Sequence, residues 1–368
     1  MMQMRSRTLL PLICLLALGC GPRPTGSAEA GAAHRPDLEA LTPPERMERL
    51  VTVLAADSME GRATGSDGAR RAARFIAGEL ESYGVEPGVG GSFMQDIPLY
   101  RVRLSNGRER VMVADPGGLP DGAEILEEME DGNVVGVIRG SVGQGAEEAV
   151  ILGAHFDHVG IGRPVGGDSI YNGADDDASG VAVVLEVARV LADEAPQART
   201  VVLLLTTGEE VGLVGTRFYI ENPVVPLERT VADLQVEMVG RPDSLAGGHG
   251  RAWLTGFERS TLGDALAQAG VALVPDPRPD QRFFFRSDNI AFARLGIPAH
   301  TLSSYNLHRD YHRPSDEAET MDYGHMAEVT EATAAAVRIL ANGQAPQWHP
   351  GGRPETSNAG SGAGGVQP

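Results

Sequence analysis

Acidic and histidine side chains stand at the ends of three apolar runs in this 368-residue sequence. The run "RTVVLLL" leads into "TTGEEVG", which places Glu209 and Glu210 side by side. The run "AVILGAH" ends at His155, with Asp157 two residues later, and "TVADLQV" is followed by Glu237. Such runs predict buried strands, and α/β sheets form binding sites just beyond the carboxyl ends of their strands. These five side chains are therefore expected to be neighbours in space.

Two further residues belong to the same expected cluster, Asp176 in "NGADDDASG" and His312 in "DYHRPSD". Crowded carboxylates raise one another's pKa values unless cations compensate their charge. Two imidazoles with carboxylate oxygens suit zinc, and one bridging carboxylate can hold two metal ions that activate a shared water. The cluster thus predicts a two-metal site. Adjacent glutamates on an irregular loop can take different roles there, one as a metal ligand and one as a general base.

Short apolar runs alternate with longer amphipathic stretches between the two ends of the chain. This alternation predicts a three-layer α/β/α sandwich with a mixed, mostly parallel central sheet and the metal site at the carboxyl ends of its strands. Helices are predicted over 70–84, over 177–194 with a cap near Ser179, and over the C-terminal stretch that begins "DYGHMAEV". The strands are expected to end at His155, at Thr206, near Glu237 and within "GIPAHTL".

The composition excludes several classes of partner. The formal net charge of −19 argues against binding to nucleic-acid phosphates and against a polybasic contact with a membrane surface. The sequence has no internal repeat and no second apolar span, which argues against a polytopic membrane protein.

The N-terminus has the features of an export signal. Residues 1–19 combine Arg5 and Arg7 with an apolar stretch that is too short to span a bilayer comfortably. Cys20 follows "LALG" directly, an arrangement that resembles the lipobox of bacterial lipoproteins. We therefore expect an exported protein, either a cell-envelope lipoprotein anchored at Cys20 or a secreted protein after ordinary signal cleavage. The only other cysteine, Cys14, lies inside the signal, so the mature domain is expected to have no disulfide and no cysteine ligand.

The ends of the chain differ in composition from its centre. Residues 20–40 and 343–368 are rich in Gly, Pro, Ala and Ser and show no apolar period. This composition predicts a flexible linker over 20–40 and a disordered tail over 343–368. The folded part is then a single domain over 41–342.

An ordered set of motifs resembles a known family, the co-catalytic di-zinc aminopeptidases secreted by many bacteria (leucyl-type), whose relatives include glutamate carboxypeptidase and glutaminyl cyclase. The resemblance covers roughly residues 50–341. It is carried by "DSMEGRATGSDGARRAARFIAGEL", "HFDH", "NGADDDASGVAVVLEVARVL", "TTGEEVGLVGTRFYIEN", "QVEMVGR", "FFFRSDNIAFARLGIPA" and "DYHRPSDEAETMDY".

The resemblance implies Asp176 as the carboxylate that is shared by two zinc ions. It implies that His155 and Glu237 complete the site of one zinc ion, and that Glu210 and His312 complete the site of the other.

Two more roles follow from the resemblance. Glu209 is the implied general base, and Asp157 is the implied partner that orients His155, as metal-bound imidazoles usually require. Ser287 and Asp288 in "FFFRSD" match a family motif near the pocket, and no chemical step is assigned to them.

Two departures from the family pattern concern the chemistry. Most members have aspartate where this chain has Glu237, and the longer side chain is expected to keep metal binding. Some secreted members place a tyrosine, the donor to the oxyanion, where this chain has Phe284. The oxyanion-stabilising group is therefore open, and Tyr305, Tyr311 and Arg286 are candidates.

Structural roles are expected for other polar residues in these motifs. Arg62 in "EGRATG" is interpreted as a hydrogen-bond donor that fixes a loop, and Asp175 and Asp177 as caps or solvated residues at the following helix. The histidines interpreted as structural are His158, His300, His308 and His325.

The implied function is a zinc-dependent exopeptidase that removes N-terminal residues from peptides with a free N-terminus. Two alternatives of the same fold are a glutaminyl-cyclase-like acyltransferase and a non-catalytic scaffold. A neighbouring carboxypeptidase family offers similar motifs, but it inserts a dimerisation domain for which the stretch between Glu237 and His312 is too short.

Overall fold

The structure is a computed structural model that describes residues 38–114, 118–141 and 143–355. The α-helices of these residues are α1 Pro43–Leu54, α2 Asp67–Ser82, α3 Gly180–Asp193, α4 Val214–Glu221, α5 Thr261–Ala269, α6 Asn289–Leu295 and α7 Tyr323–Asn342. Their strands are β1 Glu86–Pro87, β2 Met94–Arg103, β3 Glu109–Val113, β4 Glu124–Ile138, β5 Ala149–His155, β6 Gly160–Val165, β7 Asp168–Tyr171, β8 Thr200–Thr206, β9 Thr230–Val236, β10 Ala252–Leu254, β11 Leu273–Pro275 and β12 Ala299–Ser303.

Ten of these strands form one mixed sheet in the order β11-β10-β12-β9-β5-β8-β4-β2-β3, with β1 paired to β4. The central strands β12, β9, β5 and β8 are parallel neighbours, and β4 joins β8 antiparallel. Strands β5 and β8 are buried over their whole length, as expected for strands that are covered on both faces. The predicted α/β sandwich with a mixed sheet is confirmed, with its parallel part confined to the centre and to the β10–β11 pair.

The helices cover the sheet in the way that their sequences predict. Helix α2 buries one face that includes Ala73, Ile76 and Leu80, and Ser66 caps its start by accepting a hydrogen bond from the Ala69 amide at 3.1 Å. Helix α3 is buried on nearly every side, because it packs between the sheet and helices α1 and α7. The mostly apolar sequence of this helix is therefore consistent with its central position.

An antiparallel extension lies outside the sequence-based prediction. Strands β2, β3 and β4 form a meander at one end of the sheet, and β4 runs for 15 residues from the exposed end of that meander into the core. In β2, buried and exposed residues alternate, as expected for a strand with one covered face. No described helix is both long enough and apolar enough to cross a membrane.

The predicted boundaries at the two ends have different outcomes. The predicted disordered tail over 343–368 is wrong for residues 343–355. Trp348 pairs with Ser260 in a β-bridge, and its indole nitrogen donates to the Gly296 carbonyl at 2.9 Å. The signal over 1–19, Cys20, most of the 20–40 linker and residues 356–368 lie outside the described residues, although Leu38–Ala40 form a short 3₁₀ helix.

Candidate metal centre

The carboxyl ends of the four central parallel strands meet at one rim of the sheet. The sequence-predicted site residues follow these strands: His155 and Asp157 after β5, Glu209 and Glu210 after β8, Glu237 after β9 and His312 after β12. Asp176 belongs to the irregular segment Ala174–Ser179 at the start of α3, which contains a cis peptide bond between Asp176 and Asp177. The structure thus brings all seven residues to the same edge.

The Asp176 carboxylate lies between two histidines. Its Oδ1 is 3.4 Å from His155 Nε2, and its Oδ2 is 3.1 Å from His312 Nε2. Three buried atoms, His155 Nε2, Asp176 Oδ2 and His312 Nε2, have no hydrogen-bond partner among the described residues. Buried polar atoms are normally paired, so facing nitrogen and oxygen ligand atoms without partners fit a cation.

Two sets of side chains can each hold a metal ion, and Asp176 belongs to both. One set consists of His155, Asp176 and Glu237. The other contains Asp176, Glu210 and His312, together with His158. These imidazole and carboxylate groups are ligands that zinc accepts, so the residues fit the predicted two-metal site.

The adjacent glutamates point in different directions, as their position on a loop allows. Glu210 Oε1 is 3.1 Å from His312 Nε2 and belongs to the second set. Glu209 belongs to neither set and lines the cleft above them. Burial raises the pKa of the Glu209 carboxyl well above its ordinary value, the neighbouring carboxylates of Glu237 and Glu210 raise it further, and His155 opposes the shift.

Asp157 organises the glutamate loop with its carboxylate and His155 with its backbone. The backbone carbonyl of Asp157 lies 3.1 Å from His155 Nδ1, whereas its carboxylate lies 3.7 Å from that atom. The carboxylate accepts hydrogen bonds from the Glu209 amide at 3.0 Å and from the Thr64 hydroxyl at 3.0 Å, with a longer contact of 3.4 Å to the Glu210 amide. The contact of Asp157 that lies within hydrogen-bond distance of His155 Nδ1 is thus made by its main chain.

The two aspartates beside Asp176 tie the start of α3 to the loop after β9. Asp177 accepts hydrogen bonds from the Gly180 amide at 3.1 Å, at the first residue of α3, and from the Met238 amide at 3.0 Å. Asp175 accepts from the Gly240 amide at 2.7 Å and contacts His308 at 2.9 Å. The expected capping role of Asp177 is confirmed, and both residues also brace the loop that carries Glu237.

Backbone conformation adds a further constraint at two of the strand ends. Met238, directly after Glu237, and His312 itself both have φ values of 52°. This left-handed region is disfavoured for residues other than glycine, and such residues are often found at functional sites. The surrounding hydrogen bonds must therefore hold the chain in the conformation that presents these ligands.

Arg62 is a fully buried cation beneath the centre. Its guanidinium donates to the carbonyls of Phe156, Leu54, Asn172 and Gly173 at 2.6–2.8 Å. Phe156 and Gly173 lie in the segments that carry His155 and Asp176. The predicted loop-fixing role of Arg62 is confirmed.

His158 is the site residue that sequence reasoning missed. Its Nδ1 lies 2.9 Å from Glu210 Oε1 and 3.6 Å from Asp176 Oδ2, and its side chain is completely buried. The structural interpretation holds for His300, which contacts the Ser260 hydroxyl and the Thr255 carbonyl away from the metal sets. The signal in the sequence was the repeated histidine of "HFDH", which standing alone does not separate a ligand from a packed side chain.

The metal ligands open into a cleft of about 1330 Å³. One wall is a chain of rings, in which Tyr311 stacks on His312 with centroids 3.9 Å apart, Tyr305 lies 5.5 Å from Tyr311, and Phe283 lies 5.9 Å from Tyr305. The Arg286 guanidinium is 5.2 Å from the centre of the Phe283 ring. All three candidates for oxyanion stabilisation line this cleft.

Three residues of the "FFFRSD" motif, Phe284, Ser287 and Asp288, do not line the cleft. Phe284 is buried in an apolar cluster and lines no part of the cleft. Asp288 is buried and accepts from the Thr206 hydroxyl at 2.7 Å and from the Thr216 hydroxyl at 2.5 Å, which joins the end of β8 to α4. Burial raises the pKa of the Glu237 carboxyl to about 7, and a hydrogen bond from the Ser287 hydroxyl opposes this shift.

Comparisons with known proteins agree with this geometry. The sequence model of peptidase family M28 matches residues 133–337. A "probable leucine aminopeptidase 2" from Aspergillus oryzae (strain ATCC 42149 / RIB 40) is 24% identical over 265 residues, which are 66% of this chain and 51% of that protein. The chain spans about half the length of curated relatives of this kind that it matches.

Solved structures share the fold. BSAP, a zinc aminopeptidase from Bacillus subtilis, superposes with a TM-score of 0.61 at 14% identity, over 83% of this chain and 96% of that one. Porphyromonas gingivalis glutaminyl cyclase superposes with a TM-score of 0.54 at 18% identity, over 80% of this chain and 97% of that one. The superpositions establish a common fold. Because the identities are this low, the reaction must be argued from the site residues themselves.

Proposed function

Because the chain belongs to peptidase family M28, we propose that it is a zinc-dependent exopeptidase that removes N-terminal residues from peptides. The observation that carries the proposal is the position of Asp176, whose two oxygens face His155 at 3.4 Å and His312 at 3.1 Å. A carboxylate in this position can bridge two metal ions.

The ligands divide between two zinc ions in this proposal. His155 and Glu237 hold one ion and Glu210 and His312 hold the other, with Asp176 shared. The zinc ions, when bound, polarise the scissile carbonyl, anchor the free amine and lower the pKa of the attacking water.

Glu209 acts as the general base. Its carboxylate lines the cleft without a metal-ligand role, and burial raises its pKa, which makes it a stronger base than an exposed glutamate. It takes the proton of the attacking water and passes it to the leaving amine.

Tyr311 supplies a neutral hydrogen bond to the oxyanion. Burial raises the pKa of its hydroxyl, and the carboxylates of Asp176, Glu210 and Glu237 raise it further, which keeps the hydroxyl protonated. Stacking on His312 fixes the ring. Tyr305 lies one ring farther along the cleft wall, so Tyr311 is preferred.

The substitution Glu209→Gln tests the proposal. The amide keeps the shape of the side chain and cannot accept the proton, so turnover should fall by about 10²–10⁴-fold while the fold and two bound zinc ions remain. Activity is measured on aminoacyl chromogenic substrates, on N-blocked peptides and on a peptide with N-terminal glutamine. Near-normal turnover in Glu209→Gln would contradict the base assignment. Cleavage of blocked peptides, or cyclisation without cleavage, would contradict an aminopeptidase.

We also infer that the protein acts outside the cytoplasm, because its first 20 residues have the features of an export signal that ends at a cysteine. Fractionation of cells that express the full chain or Cys20→Ala tests this. Recovery of the full chain in the cytoplasm would contradict export, and identical fractionation of the two chains would contradict a lipid anchor.

A further inference from the structure

His158 lies three residues after His155 and points into the second set of ligands. We propose, building on the two-zinc function above, that His158 binds the second zinc directly. That ion then has four protein ligands, whereas the ion at His155 and Glu237 has three. The two metal positions would thus differ in coordination and in strength.

The distances between ligand atoms support this assignment. Four ligands about 2.0–2.1 Å from a tetrahedral zinc lie about 3.3 Å from one another. His158 Nδ1 is 2.9 Å from Glu210 Oε1 and 3.6 Å from Asp176 Oδ2, and His312 Nε2 is 3.1 Å from each of the same two oxygens. These four separations fall on both sides of the tetrahedral value.

A hydrogen bond from His158 to Glu210 is the alternative explanation of the shortest distance. Under that explanation the buried atom Asp176 Oδ2 remains without a hydrogen-bond partner in the described part of the chain. It faces His158 Nδ1 at 3.6 Å, and this distance is too long for a hydrogen bond. His158 Nε2 has no partner among the described residues under either explanation. One ion between the four atoms would satisfy His158 Nδ1, His312 Nε2 and Asp176 Oδ2 together.

The protein holds the His158 ring in this orientation. Its backbone amide donates to the carbonyl of Arg62 at 3.2 Å. Its ring lies against Gly173, where a β-carbon would stand 2.6 Å from the ring carbon Cδ2. The absence of a side chain at Gly173 therefore makes room for the ring in this orientation.

Unequal coordination assigns different tasks to the two ions. Zinc sites that are closed by four protein ligands are usually structural, and sites with three protein ligands keep a position for water or substrate. The three-ligand position contains His155 and Glu237, the charged neighbours that affect the pKa of Glu209 most. The second ion would then mainly hold Asp176 and the glutamate loop, and it would leave the protein last.

X-ray absorption at the zinc edge counts the imidazoles directly. With two zinc ions bound, three ligating histidines give an average of about 1.5 imidazoles per zinc, and two give about 1.0. We expect about 1.5 for the natural chain and about 1.0 for His158→Ser. The matched control His308→Ser changes a histidine beside Asp175 that belongs to neither set, and it should keep 1.5.

Competition with a chromophoric chelator gives a second readout without turnover. The tighter of the two zinc dissociation constants should weaken at least 100-fold in His158→Ser, and the weaker one should stay within a few-fold. A count of 1.0 in the natural chain with two zinc ions bound would overturn the inference and leave the proposed function intact. Binding of fewer than two zinc ions would overturn the two-metal function as well. If His158→Ser does not fold, the count in the natural chain decides alone.

Discussion

Replacing Tyr311 with phenylalanine removes one hydroxyl from the cleft and leaves the rest of the wall in place. The ring stacks on His312 at 3.9 Å, a contact that phenylalanine preserves. The loss of one oxyanion donor costs about 10²–10³-fold in turnover in enzymes where it has been measured. Because a zinc ion would polarise the same oxygen, we expect the lower end, about 100-fold, which corresponds to about 2.7 kcal/mol.

The assay is turnover on an aminoacyl chromogenic substrate, with zinc content measured on the same samples. The turnover number should fall while the Michaelis constant and the zinc content stay close to those of the natural chain, because the hydroxyl interacts mainly with the transition state. Tyr305→Phe is the matched control and should change turnover less than five-fold, because Tyr305 lies one ring farther from His312. Equal losses in the two variants, or normal turnover in Tyr311→Phe, would refute the reasoning.

Three further outcomes follow from buried groups. Arg62→Met should lower the free energy of unfolding, measured by urea denaturation, by at least about 4 kcal/mol, because four buried carbonyls lose a charged donor. The control Arg103→Met changes an arginine on the surface and should cost less than about 1 kcal/mol. Similar losses in the two variants would contradict the structural role of Arg62. Burial lowers the pKa of His300 to about 4 from 6.5, so the stability from its neutral form is complete above pH 6.5 and is lost as the pH falls toward 4. This group should contribute about 3 kcal/mol to that loss, and an unchanged pH slope in His300→Gln would disprove it. Asp157→Asn should keep both zinc ions and lower turnover about 10–100-fold, because the asparagine amide has only one acceptor oxygen and its NH₂ group would face the backbone N–H of either Glu209 or Glu210. Loss of one zinc ion with normal turnover per zinc would instead indicate that the carboxylate orients the metal ligands.

The central strands could be predicted because burial on both faces leaves a clear apolar signal. "AVILGAH" and "TVVLLLT" are buried at every position, and the residues that follow them had to meet at one edge. The antiparallel strands β2–β4 carry a weaker, alternating pattern, and a continuous apolar run does not mark them. The segment that contains Trp348 reads as a tail in composition, because the Trp348 indole and separate hydrogen bonds of residues such as Gln347 and His349 attach it, and no apolar run marks it.

At the candidate site, residue types were easier to predict than orientations. The directions of Glu209 and Glu210 depend on a loop that is held by Asp157, and the direction of His158 depends on the space beside Gly173. Contacts of this kind join residues far apart in the chain, and no motif encodes them. The contact between the Asp157 carbonyl and His155 shows the same limit, because the predicted residue provides a different atom.

The four bonds of Arg62 also bear on how the centre could form during folding. They join positions that are 8, 94, 110 and 111 residues apart, and the side chains that flank Asp176 come from strands separated by much of the chain. Contacts between distant parts of a chain require costly loop closures before they contribute stability. A chain synthesised only as far as Glu237 would carry every residue of the first set but would lack His312 of the second, so full-strength binding at the second position would report that synthesis has passed His312.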